Sequence, residues 1–204
     1  MYRAVDDDFT LFPEKGGQPL IFMIGCGHIE NRDWIFRSFT ADALDADAEA
    51  RALDAWFAHM AAVQQRLGVV EEPKVFHWSP AEVSNLESAY NSAMKRHPNR
   101  KWPVPAWFDF LNRVVKPGCF VVRGAMGFGL KAIGKALHAQ GRIKTLWGDG
   151  PTDGLGAMVG AWSAWTEVKS SGTSLRQSPM MREIERYNEV DCRVMYEVID
   201  FLRM

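Results

Sequence analysis

Apolar positions along the chain change period several times, and each period predicts a different element. Pro19-Leu-Ile-Phe-Met-Ile-Gly25 is a continuous apolar run after Gly16-Gly17, the pattern of a strand buried on both faces. Trp34-Ile-Phe-Arg-Ser-Phe39 alternates and predicts a neighbouring strand, with a turn over Glu30-Asn31-Arg32-Asp33 between the two. From Asp42 to Leu67 the spacing becomes three and four. Leu53, Trp56, Phe57, Met60, Val63 and Leu67 recur as one face of a long helix. Asp42, Asp45, Asp47 and Glu49 at its start suit the positive end of the helix dipole.

Lys74-Val-Phe-His-Trp78 predicts another strand. Ser79-Pro80-Ala-Glu82 predicts an N-cap with proline at the first position of a helix that runs to Arg96. His97 to Pro105 is a proline-rich basic connector. Trp107 to Val115 is mixed and apolar, Pro117-Gly118 is a turn, and Cys119 to Val122 predicts a short strand. Helices are predicted over Leu130–Ala139, ended by Gly141, over Leu155–Lys169 and over Met180–Leu202. No repeat or linker interrupts this order. Residues 1–204 therefore read as one α/β domain with a small sheet and a helical C-terminal half.

Composition narrows the function classes. With 47% apolar and 24% charged residues the chain is neither disordered nor fibrous. The formal net charge of -1 gives no global basic field, so a nucleic-acid partner needs a local patch or metal ions. Lys95, Arg96, His97, Arg100 and Lys101, followed by Trp102, form such a run. A loop of this kind contacts phosphates and stacks a base; an ordinary solvated loop is the equal alternative. The 8 Trp and 12 Phe read first as core. Cys26, Cys119 and Cys192 are far apart in apolar surroundings, the pattern of buried thiols in a reducing compartment. The N-terminus lacks a leader pattern, and the Leu20–Ile24 run is far short of the ~20 residues that span a bilayer. A cytoplasmic chain with no membrane partner is expected.

Two segments hold candidate chemistry. Arg186-Tyr-Asn-Glu-Val-Asp-Cys192 sets Tyr187 and Asp191 four residues apart on one helix face; a surface carboxylate beside a core tyrosine is the plainer reading. In Phe76-His-Trp-Ser-Pro-Ala-Glu-Val-Ser-Asn-Leu86 a strand ends at His77 and a helix starts near Pro80. Glu82 then lies just beyond a strand's carboxyl end, where open α/β sheets bind ligands. An acid favoured by the helix dipole is again the plainer reading.

In combination these segments resemble the RNase H-like DEDD-type 3′–5′ exonucleases, and the RecB-like group of RNase H-like nucleases. The strand followed by Glu82, with Leu86 four residues on, is similar to the second DEDD motif. Tyr187-x-x-x-Asp191 is similar to the third motif in its tyrosine form. Trp107-Phe-Asp-Phe-Leu111 and Gly129-Leu-Lys-Ala132 fit the same order, and the resemblance covers residues 18 to 204. It implies a small mixed central sheet flanked by helices. It also implies hydrolysis of DNA or RNA by two divalent ions, Mg²⁺ or Mn²⁺, which stabilise the attacking and leaving oxygens. On this resemblance Asp191 is a metal ligand, Tyr187 positions the attacking water, and Glu82 replaces the second motif's aspartate.

The family's first motif, Asp-x-Glu on the central strand, does not occur before the Leu20 strand. Two readings follow. In one, Tyr2–Val5 is a very short first strand, and Asp6 and Asp8 are metal ligands in an Asp-x-Asp variant. In the other the first strand is absent. That leaves a gap in the sheet with unpaired backbone on both flanks, and a site poor in metal. The second reading favours a catalytically inactive nucleic-acid-binding module of the same fold. A further alternative is an NAD(P)-binding enzyme: Gly127-x-Gly129-x-x-Ala132 follows a predicted strand, opens a helix, and has Asp149 twenty residues past Gly129. Against it, the fingerprint falls past the midpoint of the chain, and no return strand holds Asp149.

Overall fold

The computed structural model describes residues 2–5, 19–78, 90–148 and 154–203 of the chain. Among these residues two small sheets are wrapped by helices in a mixed α/β arrangement. β2 (Pro19–Glu30) and β3 (Asp33–Thr40) form the expected antiparallel hairpin, in register from Met23↔Thr40 to Glu30↔Asp33. Asn31 (φ 52°) and Arg32 (φ 73°) both adopt the left-handed conformation, which matches a two-residue turn to the twist of the strands. Leu20 to Ile24 are all buried, as an apolar run between two helical layers requires.

β2 runs five residues past Gly25, where the apolar pattern ends. Gly25 and Gly27 are positions of close approach, not breakers. A Cβ on Gly27 would lie 2.0 Å from the Trp34 ring, and one on Gly25 would lie 1.5 Å from Asn188 Oδ1. β1 (Tyr2–Val5) pairs antiparallel with the other edge of β2, from Tyr2↔Met23 to Val5↔Pro19. Tyr2–Val5 is therefore a strand, but among the described residues it lies at the end of this sheet and not at its centre.

α1 (Ala46–Leu67) covers one face of this sheet. Asp45 caps it by accepting from Ala48 N–H at 2.8 Å, and Gly68 ends it with φ 63°. Ile21, Ile24 and Phe39 pack there against Leu53 and Trp56. Leu67, expected on the buried face, is 59% exposed because it is the last residue before the Gly68 turn. The other face packs on α4 (Gly154–Ser171) and α5 (Pro179–Phe201). Ala157, Ala161 and Ala164 recur at four and three on α4, so that helix approaches closely.

The second sheet is the parallel pair β4 (Lys74–His77) and β5 (Ala106–Asp109), in register from Lys74↔Ala106 to His77↔Asp109. α2 (residues 90–96) lies between these strands in the chain. A single π-helical turn over Leu111–Val115 follows β5, capped by Asp109, which accepts from Asn112 N–H at 2.9 Å. Cys119–Val122 is not a strand: the chain turns there, with Cys119 at φ 52° and Gly124 at φ 88°. Left-handed backbone at Cys119 and Gly124 breaks the extended conformation that a strand needs. Cys119 is exposed and Cys26 and Cys192 are half-buried, so the expectation of three buried thiols fails at Cys119. α3 (Leu130–Ala139) has its expected bounds, and its Ile133 and Leu137 join Phe110, Leu111 and Val115 in a separate core. No helix among the described residues is long and apolar enough to cross a membrane.

Candidate functional site

α5 is the element that joins the two cores. Met181 and Ile184 lie in the core of the three-stranded sheet, whereas Val194, Val198 and Ile199 lie in the core over β4 and β5. Tyr187, Asn188, Asp191 and Cys192 occupy the crossing between them. Asn188 sits against Gly25 of β2, and Cys192 Sγ lies 3.9 Å from the Gly25 carbonyl oxygen. The missing Cβ of Gly25 is what lets the helix come this close.

Tyr187 and Asp191 face partners from one part of the chain. Lys131 of α3 places its Nζ 4.8 Å from the centre of the Tyr187 ring, a cation–π contact. Trp147, in the loop after α3, donates its indole N–H to Asp191 Oδ1 at 2.7 Å. The Trp147 ring itself packs on Gly134, where a Cβ would lie 3.0 Å from it. One oxygen of the Asp191 carboxylate is thereby held in a fixed direction by a neutral donor.

The loop that positions Trp147 is clamped by Glu197, further along α5. Glu197 accepts from Lys144 N–H at 2.7 Å, Thr145 N–H at 2.9 Å and the Thr145 hydroxyl at 2.6 Å. Burial pushes the Glu197 carboxyl up, but these hydrogen bonds and the nearby Arg193 outweigh it and hold the group below its ordinary value of 4.5. The clamp's contribution to stability is thus full above that value and is lost as acid protonates the folded carboxyl below it. Wild type is expected to lose stability more steeply than Glu197→Gln as pH falls below 4.5, measured by urea unfolding at stepped pH. Equal slopes would mean that the clamp does not bear on folding.

No family model matches the chain, and no curated protein or solved structure does.

Of the expected metal ligands, Asp191 is described, while Glu82, Asp6 and Asp8 lie outside the described residues. Val5 pairs with Pro19, six residues along β2 from Gly25. That is about 20 Å at the rise of a strand. β1 therefore leads away from the part of β2 that touches Cys192. A carboxylate oxygen suits Mg²⁺ or Mn²⁺, but Asp191 by itself is one ligand. Among the described residues no group of three His, Cys, Asp or Glu side chains could hold a metal.

The expected basic run is turned inward at Arg96, His97 and Trp102 only. Arg96 binds Glu49 of α1 through Nε at 2.9 Å and Nη2 at 2.8 Å, and His97 Nε2 lies 3.0 Å from the same carboxylate. Arg100 pairs with Asp54 at 2.9 Å, and Trp102 is buried with its indole N–H donating to Asp54 at 2.8 Å. A buried ring cannot stack on a base, and a paired guanidinium binds phosphate only by giving up its partner. Lys95 and Lys101 are exposed. The Gly127-x-Gly129 fingerprint lacks its preceding strand, and a Cβ at either glycine would meet nothing within 4 Å. The chain's own packing therefore requires neither glycine.

Sequence reasoning missed Trp147, Lys131 as a neighbour of Tyr187, and Glu197. Lys131 was within reach, since it lies in the Gly129-Leu-Lys-Ala132 segment. Trp147 and Glu197 are non-local partners with no local pattern to mark them. A second cluster was also missed, on the α1 side of β2. His28 and His59 have ring centres 5.3 Å apart there, and His28 Nδ1 and His59 Nε2 are buried without a hydrogen-bond partner. Burial first, then the neighbouring His28, pulls His59 down to about 4, so it is neutral near pH 7.

Proposed function

We propose that this chain is an RNase H-like nuclease domain that hydrolyses phosphodiester bonds of DNA or RNA from the 3′ end. The observation that supports the reading best is the pairing of Tyr187 and Asp191 at the crossing of α5, with Asp191 oriented by Trp147 and Tyr187 facing Lys131. The mixed α/β arrangement is compatible with the resemblance, although among the described residues the strands form two separate sheets and not the one mixed sheet it implies. Asp191 is the ligand expected to hold Mg²⁺ or Mn²⁺, joined by Glu82. When bound, the ions stabilise charge on the attacking and leaving oxygens of the phosphodiester. The chain's own contributions are separate from that. Trp147 fixes the direction of the Asp191 carboxylate, the Tyr187 hydroxyl orients a water molecule, and Lys131 adds positive charge beside them.

Calorimetric titration with Mn²⁺ tests the metal half of this reading. Wild type is expected to bind, and Asp191→Asn, which keeps an acceptor for the Trp147 N–H, is expected to lose most of that binding. No heat of binding with folded wild-type protein would contradict it. A second reading keeps the Asp191–Trp147 and Tyr187–Lys131 contacts and needs no metal. It is a domain of the same fold that binds nucleic acid without cutting it.

A further inference from the structure

The segment from Phe110 to Gly148 contains seven lysines and arginines and no aspartate or glutamate. The whole chain holds 24 basic and 25 acidic residues, so this segregation is a local departure from balance. Folding gathers much of the segment into one unit over β4, β5 and the C-terminal half of α5. On α3, Ile133, Gly134, Ala136 and Leu137 face inward. Lys131, Lys135 and His138 then share the opposite flank at i, i+4 and i+7, successive turns about 6 Å apart. Lys131, at the head of that flank, is the residue that lies over Tyr187.

The loop before α3 adds an apolar component. Met126 is 99% exposed and Phe128 is 46% exposed. These side chains are held outward by a fixed backbone: Gln140 Nε2 donates to the Arg123 carbonyl at 2.8 Å, and the buried Trp78 donates its indole N–H to the Phe128 carbonyl at 2.7 Å. A line of cations beside an exposed aromatic ring fits a polymer that offers both phosphates and unstacked planar bases. An acidic peptide has no such planar faces, and a duplex keeps its bases stacked inside.

We propose that single-stranded nucleic acid lies along this face, with phosphates on the Lys131–Lys135 flank and a base on Phe128, so that the strand runs to Tyr187 and Asp191. The inference rests on reading the chain as one that acts on nucleic acid, but it does not depend on cleavage. It moves the contact surface from the 95–102 loop to the 110–148 segment.

The test is fluorescence anisotropy of a labelled oligothymidylate in EDTA, where no metal-dependent cleavage occurs. Wild type is expected to bind, with affinity falling as salt rises. Lys131→Glu with Lys135→Glu should weaken binding by about tenfold or more and flatten the salt slope by about one for each phosphate no longer neutralised. Phe128→Ala should weaken it by about tenfold. Lys95→Glu with Lys101→Glu should have the smaller effect, and melting curves confirm that each variant is folded. The proposal is overturned if the Lys95 and Lys101 pair costs as much as the α3 pair. It is equally overturned if wild type fails to bind, or binds a polyglutamate peptide or a duplex as tightly as the single strand. Binding that depends on the α3 lysines, with no cleavage in Mn²⁺, would leave this surface standing and remove the nuclease reading. Cleavage with binding indifferent to those lysines would do the reverse.

Discussion

Glu49→Ala is expected to destabilise the fold by about 3–5 kcal/mol, the cost of breaking a buried ion pair from one side. Glu49 is fully buried and anchors three parts of the chain at once. It accepts from Ile21 N–H of β2 at 2.7 Å, from Arg96 twice, and contacts His97. Removing the carboxylate takes two hydrogen bonds from the half-buried Arg96 guanidinium and takes the acceptor from the buried Ile21 N–H, and each loss carries a desolvation penalty. Arg96→Ala should cost a similar amount, because it leaves the fully buried Glu49 carboxylate with only Ile21 N–H and His97 beside it. Urea unfolding measures both. The midpoint should fall with the slope unchanged, since the surface exposed on unfolding is the same. A loss below about 1 kcal/mol for Glu49→Ala would mean that water enters the site and replaces the pair.

Asp191→Asn is expected to reduce nucleic-acid cleavage by about 10²–10³-fold, the range for removing a group that stabilises transition-state charge. The substitution removes the negative charge, while the amide oxygen of the new side chain can still accept from Trp147, so the fold should be kept. Trp147→Phe removes the indole N–H together with the outer ring whose atoms pack on Gly134, so a melting curve accompanies the assay. It should lower activity by about 10–100-fold, as expected when a metal ligand loses its orienting partner. A Trp147→Phe enzyme as slow as Asp191→Asn would mean that the indole does more than orient the carboxylate. One as fast as wild type would mean that the hydrogen bond is only structural.

Much of the first sheet was legible because its signals are local. The Leu20–Ile24 run, the alternation from Trp34 to Phe39 and the turn between them specify the hairpin without reference to the rest of the chain. The same holds for the face of α1, set by spacing at three and four, although the helix starts after the Asp45 cap and not at Asp42, and for α3 and α5. What was not legible is non-local. The β4 and β5 pairing joins residues about thirty apart, as parallel strands require, and no pattern within either strand announces its partner. The basic run from Lys95 to Trp102 looked like a surface loop because its carboxylates, Glu49 and Asp54, are on a helix nearly fifty residues earlier. Charge pattern alone does not distinguish a cation meant for solvent from one meant for a buried acid.

The candidate site was legible only along α5. Tyr187 and Asp191 share a helix face by spacing, whereas Lys131 and Trp147 reach them through the packing of α3 and its following loop, which Glu197 of α5 clamps. Asp191 was therefore identifiable from its neighbours in sequence, but the residue that orients it was not.

Cleavage of a 5′-labelled single-stranded oligonucleotide with Mn²⁺ tests the account most directly. The expected result is a ladder shortening from the 3′ end, lost in Asp191→Asn and on adding a chelator. Intact oligonucleotide after incubation with folded wild-type protein would contradict the nuclease reading, and retained binding of the same strand would then identify the domain as a non-cleaving relative.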